Sequence, residues 1–144
     1  MKLKECFIKR LLRREIPDLQ KSERSMEISE TKLNEAQKAL SHGLFDAATI
    51  LAYTAMFHAA RSILFRDGII EKSHVCLIEY LREKYVYTRK MSEAVINSLN
   101  TLRIERHETL YGLVTETSGE EAKFSLKEAT EFIETIKQLL PVKP

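Results

Sequence analysis

Glycine and proline are scarce in this chain, four and three residues in 144, against abundant Leu, Ala, Glu, Lys and Arg. Turn-rich sheet proteins need more of both, because glycine supplies left-handed backbone and proline a fixed φ at turns. The composition therefore favours helices. Cysteine is equally sparse. Cys6 and Cys76 stand far apart with no C-x-x-C pair, which signals neither a disulfide framework nor a zinc site, and both read as ordinary buried or half-buried thiols. No run approaches the roughly eighteen apolar residues of a membrane span, and the N-terminus lacks an apolar stretch followed by small residues. The expectation is a soluble cytoplasmic protein without membrane association. With 44% hydrophobic and 31% charged residues, residues 1–144 suit a single globular domain.

Charge of one sign is lacking overall, the formal net charge being +2, but it is concentrated locally. Lys2, Lys4, Lys9, Arg10, Arg13 and Arg14 face only Glu5 within the first fourteen residues. Such a cluster suits phosphates or an anionic membrane surface, and equally the solvated face of a short helix. Residues 1–16 place Leu3, Phe7 and Leu11, with Ile8 and Leu12, at helical spacing before Pro17, which reads as a basic amphipathic helix.

Asp18 is placed to cap the next helix, in which Leu19, Met26, Leu33 and Leu40 recur every seven residues, with Ser22, Ser29 and Ala36 in intervening core-side positions. His42-Gly43 is a C-terminal stop. From Phe45 to about Arg66 the chain is rich in alanine and apolar residues nearly all round, as expected of a central helix with several partners, and Asp67-Gly68 ends it. Ser73 is placed to cap a third helix carrying Val75, Ile78, Leu81 and Tyr85. Ser92 is placed to cap a fourth carrying Val95, Ile96, Leu99, Leu102 and Leu110. A last helix, with Leu126, Ala129, Phe132, Ile133, Ile136 and Leu140, runs to Pro141. No strand pattern of useful length competes, and there is no internal repeat. The predicted fold is all-α: an antiparallel up-and-down bundle of four long helices over 18–140, with the basic N-terminal helix packed on it.

Among constellations that carry chemistry, a di-iron site needs two Glu-x-x-His motifs, and only Glu71-Lys72-Ser73-His74 has that spacing. No metal or other cofactor is expected. There is no G-x-S-x-G, phosphate-cradling glycine loop or H-E-x-x-H. What remains is Arg103, Arg106, His107, Glu108 and Tyr111 on the fourth helix, with residues 103, 107 and 111 on one face. Guanidinium groups bind phosphate oxygens, imidazole moves protons near neutral pH, and a phenol donates to or stacks on a nucleotide. The alternative is an exposed face tied by ion pairs such as Glu105 with Arg103 or Arg106. His58, set among core-like residues, is either a satisfied structural histidine or a cleft residue, and Arg61 and Lys72 either line a cleft or sit on the surface.

The stretch Asp46 to Gly68, DAATILAYTAMFHAARSILFRDG, followed by Glu71-Lys72-Ser73-His74, resembles the central helices of HEPN (higher eukaryotes and prokaryotes nucleotide-binding) domains of bacteria and archaea. The resemblance covers roughly residues 18 to 140. It implies a helical bundle that pairs as a homodimer and a late-helix motif of Arg, a polar residue, three more residues and then His. Arg106-His107 matches the start of that motif, and Tyr111 stands where the histidine is usual. The register from Arg103 to His107 is one residue too short. The resemblance implies three readings. One is nucleotide or RNA phosphate binding in the dimer cleft by Arg106, His107 and Tyr111, with His58, Arg61, Lys72, His74 and Arg103, alongside a minimal nucleotidyltransferase in a toxin-antitoxin type system. A second is a metal-independent ribonuclease using Arg106 with His107 or Tyr111. A third is a purely structural dimerisation module.

Overall fold

The computed structural model describes residues 1–112 and 116–140. Pro141, the expected stop of the last helix, and residues 113–115 of the polar stretch before Ser118 lie outside the described residues. In chain order the elements are α1 (Leu3–Ile8), β1 (Leu12–Arg14), α2 (Leu19–Ser41), α3 (Phe45–Asp67), β2 (Ile69–Glu71), α4 (His74–Leu81), a π turn (Arg82–Val86), α5 (Glu93–Tyr111) and α6 (Gly119–Leu139). The fold is the all-α bundle that the periodicity predicts, with α2, α3, α5 and α6 as its long helices. Its start signals are where the sequence puts them. Side-chain oxygens of Asp18, Ser73 and Ser92 accept from the backbone N–H of Lys21, Cys76 and Val95, satisfying donors that a first helical turn leaves open.

The α2–α3 hairpin is joined through serine rather than leucine. Ser22, Ser25 and Ser29 donate to the carbonyls of Ser62, His58 and Ala55 at 2.7, 2.7 and 2.6 Å. Facing alanines, among them Ala48, Ala52, Ala55 and Ala59, let the two backbones approach. Of the heptad leucines, Leu19 is exposed and Leu33 only half-buried, so the seam runs on the Ser22, Ser29 and Ala36 side of the helix. The central α3 also packs on α5 and α6, which explains its apolar character all round. By length and composition α3 could cross a membrane, contrary to the sequence expectation. Its best window has hydropathy 1.2, and 61% of that window is buried inside the bundle, as in a core helix.

The N-terminal segment departs from expectation. The helix stops at Ile8 because Arg10 takes a left-handed φ of 57°, and Leu12–Arg14 then pairs antiparallel with Ile69–Glu71. Strands of three residues are too short for alternation to reveal. The pairing lays α1 against α4 and joins Cys6 to Cys76 in a disulfide with a Cα separation of 5.8 Å, both residues fully buried. The free-thiol expectation is therefore corrected. The two cysteines meet only because β1 folds back on β2, a contact that 70 residues of separation hide. The third helix is also shorter than expected: α4 gives way at Arg82 to the π turn. There Tyr85 shares Asp67 Oδ2 with Tyr80, donating at 2.5 and 2.9 Å.

Gly68 is the hinge of this arrangement. It ends α3 at φ 77°, and a Cβ there would sit 2.5 Å from the Glu15 carbonyl oxygen. Gly68→Ala is expected to lower stability by about 2 kcal/mol or more, through left-handed strain plus displacement of the 14–17 backbone, and chemical denaturation would measure the loss.

Candidate functional site

Along α3, Tyr53, Phe57 and Arg61 recur every four residues and so form one ridge. His74, the first residue of α4, lies against it. The Tyr53 hydroxyl and His74 Nδ1 are 2.7 Å apart, and the Phe57 and His74 rings stack with centroids separated by 4.0 Å. Arg61 extends the ridge and donates from Nε to Glu71 Oε1 on β2 at 2.7 Å. From the other side α5 contributes two cations. The Arg106 guanidinium lies 5.6 Å from the Tyr53 ring centroid, and Arg103 Nε donates to Asn100 Oδ1 at 3.1 Å. Both arginines are half-buried, and among the described residues neither is in an ion pair with a carboxylate.

Burial pushes the Tyr53 phenol up to about 12, against the opposing pull of Arg106 and Arg103. It is therefore protonated at neutral pH, and its hydroxyl shares a hydrogen bond with the His74 ring. Where Nδ1 accepts, the neutral ring carries its own proton on Nε2. Burial holds His74 below the ordinary histidine range, and the positive charges of Arg106, Arg103 and Arg61 add to that. The result is a neutral hydrogen-bonded pair floored by aromatic rings and overhung by guanidinium groups.

His58 is not a satisfied structural histidine. Its Nδ1 is buried with no hydrogen-bond partner among the described residues, and burial, then Arg61 and Lys32, hold its pKa low. The sign for stability follows. Two histidines that resist protonation when folded take up protons more readily when unfolded, so stability rises with pH. Thermal midpoints are expected to hold above about pH 6.5, the ordinary histidine value, and to fall below it until the lowered folded values are passed. A His58→Asn, His74→Asn double variant should flatten that fall.

The remaining sequence-selected residues are placed differently. His107 and Tyr111 lie on the exposed side of α5, their rings tilted with centroids 4.9 Å apart, and Tyr111 is 69% exposed. Ile104 and Leu110, 48% and 42% exposed, accompany them. Residues 106 and 107 thus point to different surfaces, as one residue of helix turns about 100°. Lys72 is exposed on the edge of β2. The suggested ion pairs of Glu105 are not formed; Glu105 accepts from Ser125 Oγ on α6 at 3.5 Å. The single Glu-x-x-His motif is divided as well, Glu71 going to Arg61 and His74 to Tyr53. No group of three or more potential metal ligands gathers among the described residues.

Sequence reasoning did not single out Tyr53, Phe57 or Glu71 as site residues. The signal for Tyr53 and Phe57 was the four-residue spacing 53-57-61, which a buried core ridge shares, and Glu71 stood out only through the Glu-x-x-His spacing.

Comparison with known proteins places these helices within a family. The HEPN domain profile matches residues 22–139. A UPF0332 protein of Archaeoglobus fulgidus is 31% identical over 112 residues, an alignment spanning 76% of this chain and 86% of that protein. Both cover the ridge on α3, the His74 junction and the arginines of α5, while α1 and β1 precede the matched domain. On these two matches and the helical bundle they fall on, the chain belongs to the HEPN domain family.

Proposed function

We propose that this HEPN protein binds a nucleotide or an RNA phosphate at the Arg103–Arg106 cleft, and that the cleft is completed by a second copy of the chain. The observation that carries the reading is the pair of half-buried guanidinium groups, without carboxylate partners among the described residues, over the neutral Tyr53–His74 pair. A guanidinium is weakly hydrated and presents a planar fork of donors to phosphate oxygens. The Nε2–H of His74 supplies a further donor, and Phe57 an apolar wall. The exposed Ile104, His107, Leu110 and Tyr111 on α5 suit pairing about a two-fold axis, which brings two copies of one helix together. In the cell the protein would serve in the cytoplasm as a component or regulator of a nucleotidyltransferase-linked toxin-antitoxin pair.

A second reading is a metal-independent endoribonuclease, favoured by the contact of His107 with Tyr111 one residue from Arg106. The ribose 2′-hydroxyl would attack the adjacent phosphorus and lose its proton to His107. Arg106 of the partner subunit would stabilise the charge on the phosphoryl oxygens, and the 5′-oxygen would leave with the proton of the Tyr111 phenol, giving a 2′,3′-cyclic phosphate. The test is titration of purified, metal-free protein with RNA oligonucleotides, with Arg106→Ala in parallel and product ends examined for cyclic phosphate. Binding lost in the variant supports the first reading, and cyclic ends lost in the variant support the second. A dimer that binds neither nucleotide nor RNA leaves a structural dimerisation module.

A further inference from the structure

The ridge does not end at Arg61. Phe65 continues the four-residue spacing, and cations lie against each ring in turn: Arg106 on Tyr53, Arg61 between Phe57 and Phe65 at 5.7 and 5.1 Å, and Lys21 of α2 on Phe65 at 5.9 Å. Beyond Arg61 the surface opens into a groove of about 680 Å³ between the first turn of α2, the end of α3 and β1, with Arg13 and Lys21 on its walls. Arg61 and Phe65 line this groove, and Arg61 also feels the charge field at His74, so cleft and groove share a residue. Neither Arg13 nor Lys21 is in an ion pair with a described residue. Of the groove's carboxylates, Asp18 caps α2 through the Lys21 N–H, and Glu15 lies exposed at its edge.

The geometry points to a track for single-stranded RNA that runs from the Arg103–Arg106 cleft along α3, over Arg61, and into the groove where Lys21 and Arg13 take further phosphates. This inference rests on the anion-binding reading of the cleft and specifies its ligand. Twelve residues of helix from Tyr53 to Phe65 rise roughly 18 Å, the length of about five stacked nucleotides at about 3.4 Å each, so a mononucleotide fills only one end. The i, i+4 ridge also winds about 120° around α3 over that length. A flexible single strand follows such a path. A rigid duplex does not, and guanidinium and ammonium groups along a groove suit backbone phosphates. Arg106, Arg61 and Lys21 lie against aromatic faces, which hold them in place, and Arg61 is fixed further by Glu71 through Nε.

The experiment compares 2′-O-methyl oligouridylates of about three and about nine nucleotides, which resist cleavage, on wild type, Arg13→Ala/Lys21→Ala and Arg106→Ala. Arg13 and Lys21 are exposed, so their removal leaves the core intact, and the circular dichroism of each variant is recorded. The long oligonucleotide is expected to bind wild type more tightly than the short one. Its salt slope should drop in the double variant by about 1.4, at about 0.7 per lost phosphate contact on a single strand. Between about 50 and 200 mM salt that amounts to roughly a sevenfold difference in retained affinity. The short oligonucleotide should be unaffected by the double substitution and weakened by Arg106→Ala. If both lengths bind equally and depend on Arg106, the track is overturned while the cleft stands. If neither binds, the cleft reading fails and the track with it.

Discussion

Arg106→Ala is expected to weaken RNA binding by roughly 10- to 100-fold, the loss of about 1.5 to 3 kcal/mol that accompanies deletion of a hydrogen-bonding partner of a charged group. The bundle should hardly notice. Arg106 reaches over the Tyr53 ring without an ion pair among the described residues, a contact that contributes about 0.5–1 kcal/mol at a partly exposed site. Arg106→Lys should fall between wild type and alanine, since it keeps the charge and loses the planar fork. A second readout separates removal of a ligand contact from general damage. Arg106 is the foremost of the charges that hold His74 below the ordinary histidine range, so the alanine variant should titrate His74 at a higher pH. Imidazole chemical shifts in a pH series would record this without any ligand present. Unchanged affinity with a displaced His74 titration would show that Arg106 tunes the site but does not touch the ligand.

Loss of the Cys6–Cys76 bond has the largest expected effect on stability. Closing a loop of 70 residues restricts the unfolded chain by about 4 kcal/mol in the chain-entropy account, and removal of a natural disulfide typically costs about 2–5. A Cys6→Ser/Cys76→Ser variant should therefore unfold roughly 10 °C lower, at a few degrees per kcal/mol for a domain of this size. Reductant should lower wild type towards the variant and leave the variant unmoved, as differential scanning calorimetry would show. In a reducing compartment the pair would rest as dithiol, and the N-terminal segment would be held by the β1–β2 ladder, the Leu3 N–H bond to Glu83 Oε2 and the packing of Leu3 and Leu12.

Those two expectations differ in how far the sequence foreshadowed them. Helix starts at Asp18, Ser73 and Ser92 and the stop at Gly68 are written locally, since a cap needs only the next three residues and a left-handed turn only one. Cys6 against Cys76, and Leu12 against Glu71, are products of chain return and leave no periodic mark. The candidate site falls between these cases. Arg61, His74, Arg103 and Arg106 stood out as polar groups within apolar helices, and the fold gathers them. Tyr53 and Phe57 were hidden because rings at this spacing ordinarily fill a core, and Tyr53, 2% exposed, does so here as well. His107 and Tyr111 were grouped with Arg106 by the motif, yet the helix turns them to an outer face.

The serines of α2 deserve a last consequence. Sliding α2 along α3 by half a turn, about 2.7 Å, would strand the hydroxyls of Ser22, Ser25 and Ser29 between carbonyls, each at a cost of about 1–3 kcal/mol. The two helices are thus pinned like a rod and its scale, and the distance from Lys21 to the far end of the aromatic ridge is a fixed length. The α4 junction is pinned to α3 in turn, through Tyr53 with His74 and Arg61 with Glu71, whereas among the described residues α5 meets the ridge through the Arg106–Tyr53 contact, so α5 is the element left to adjust when a ligand arrives.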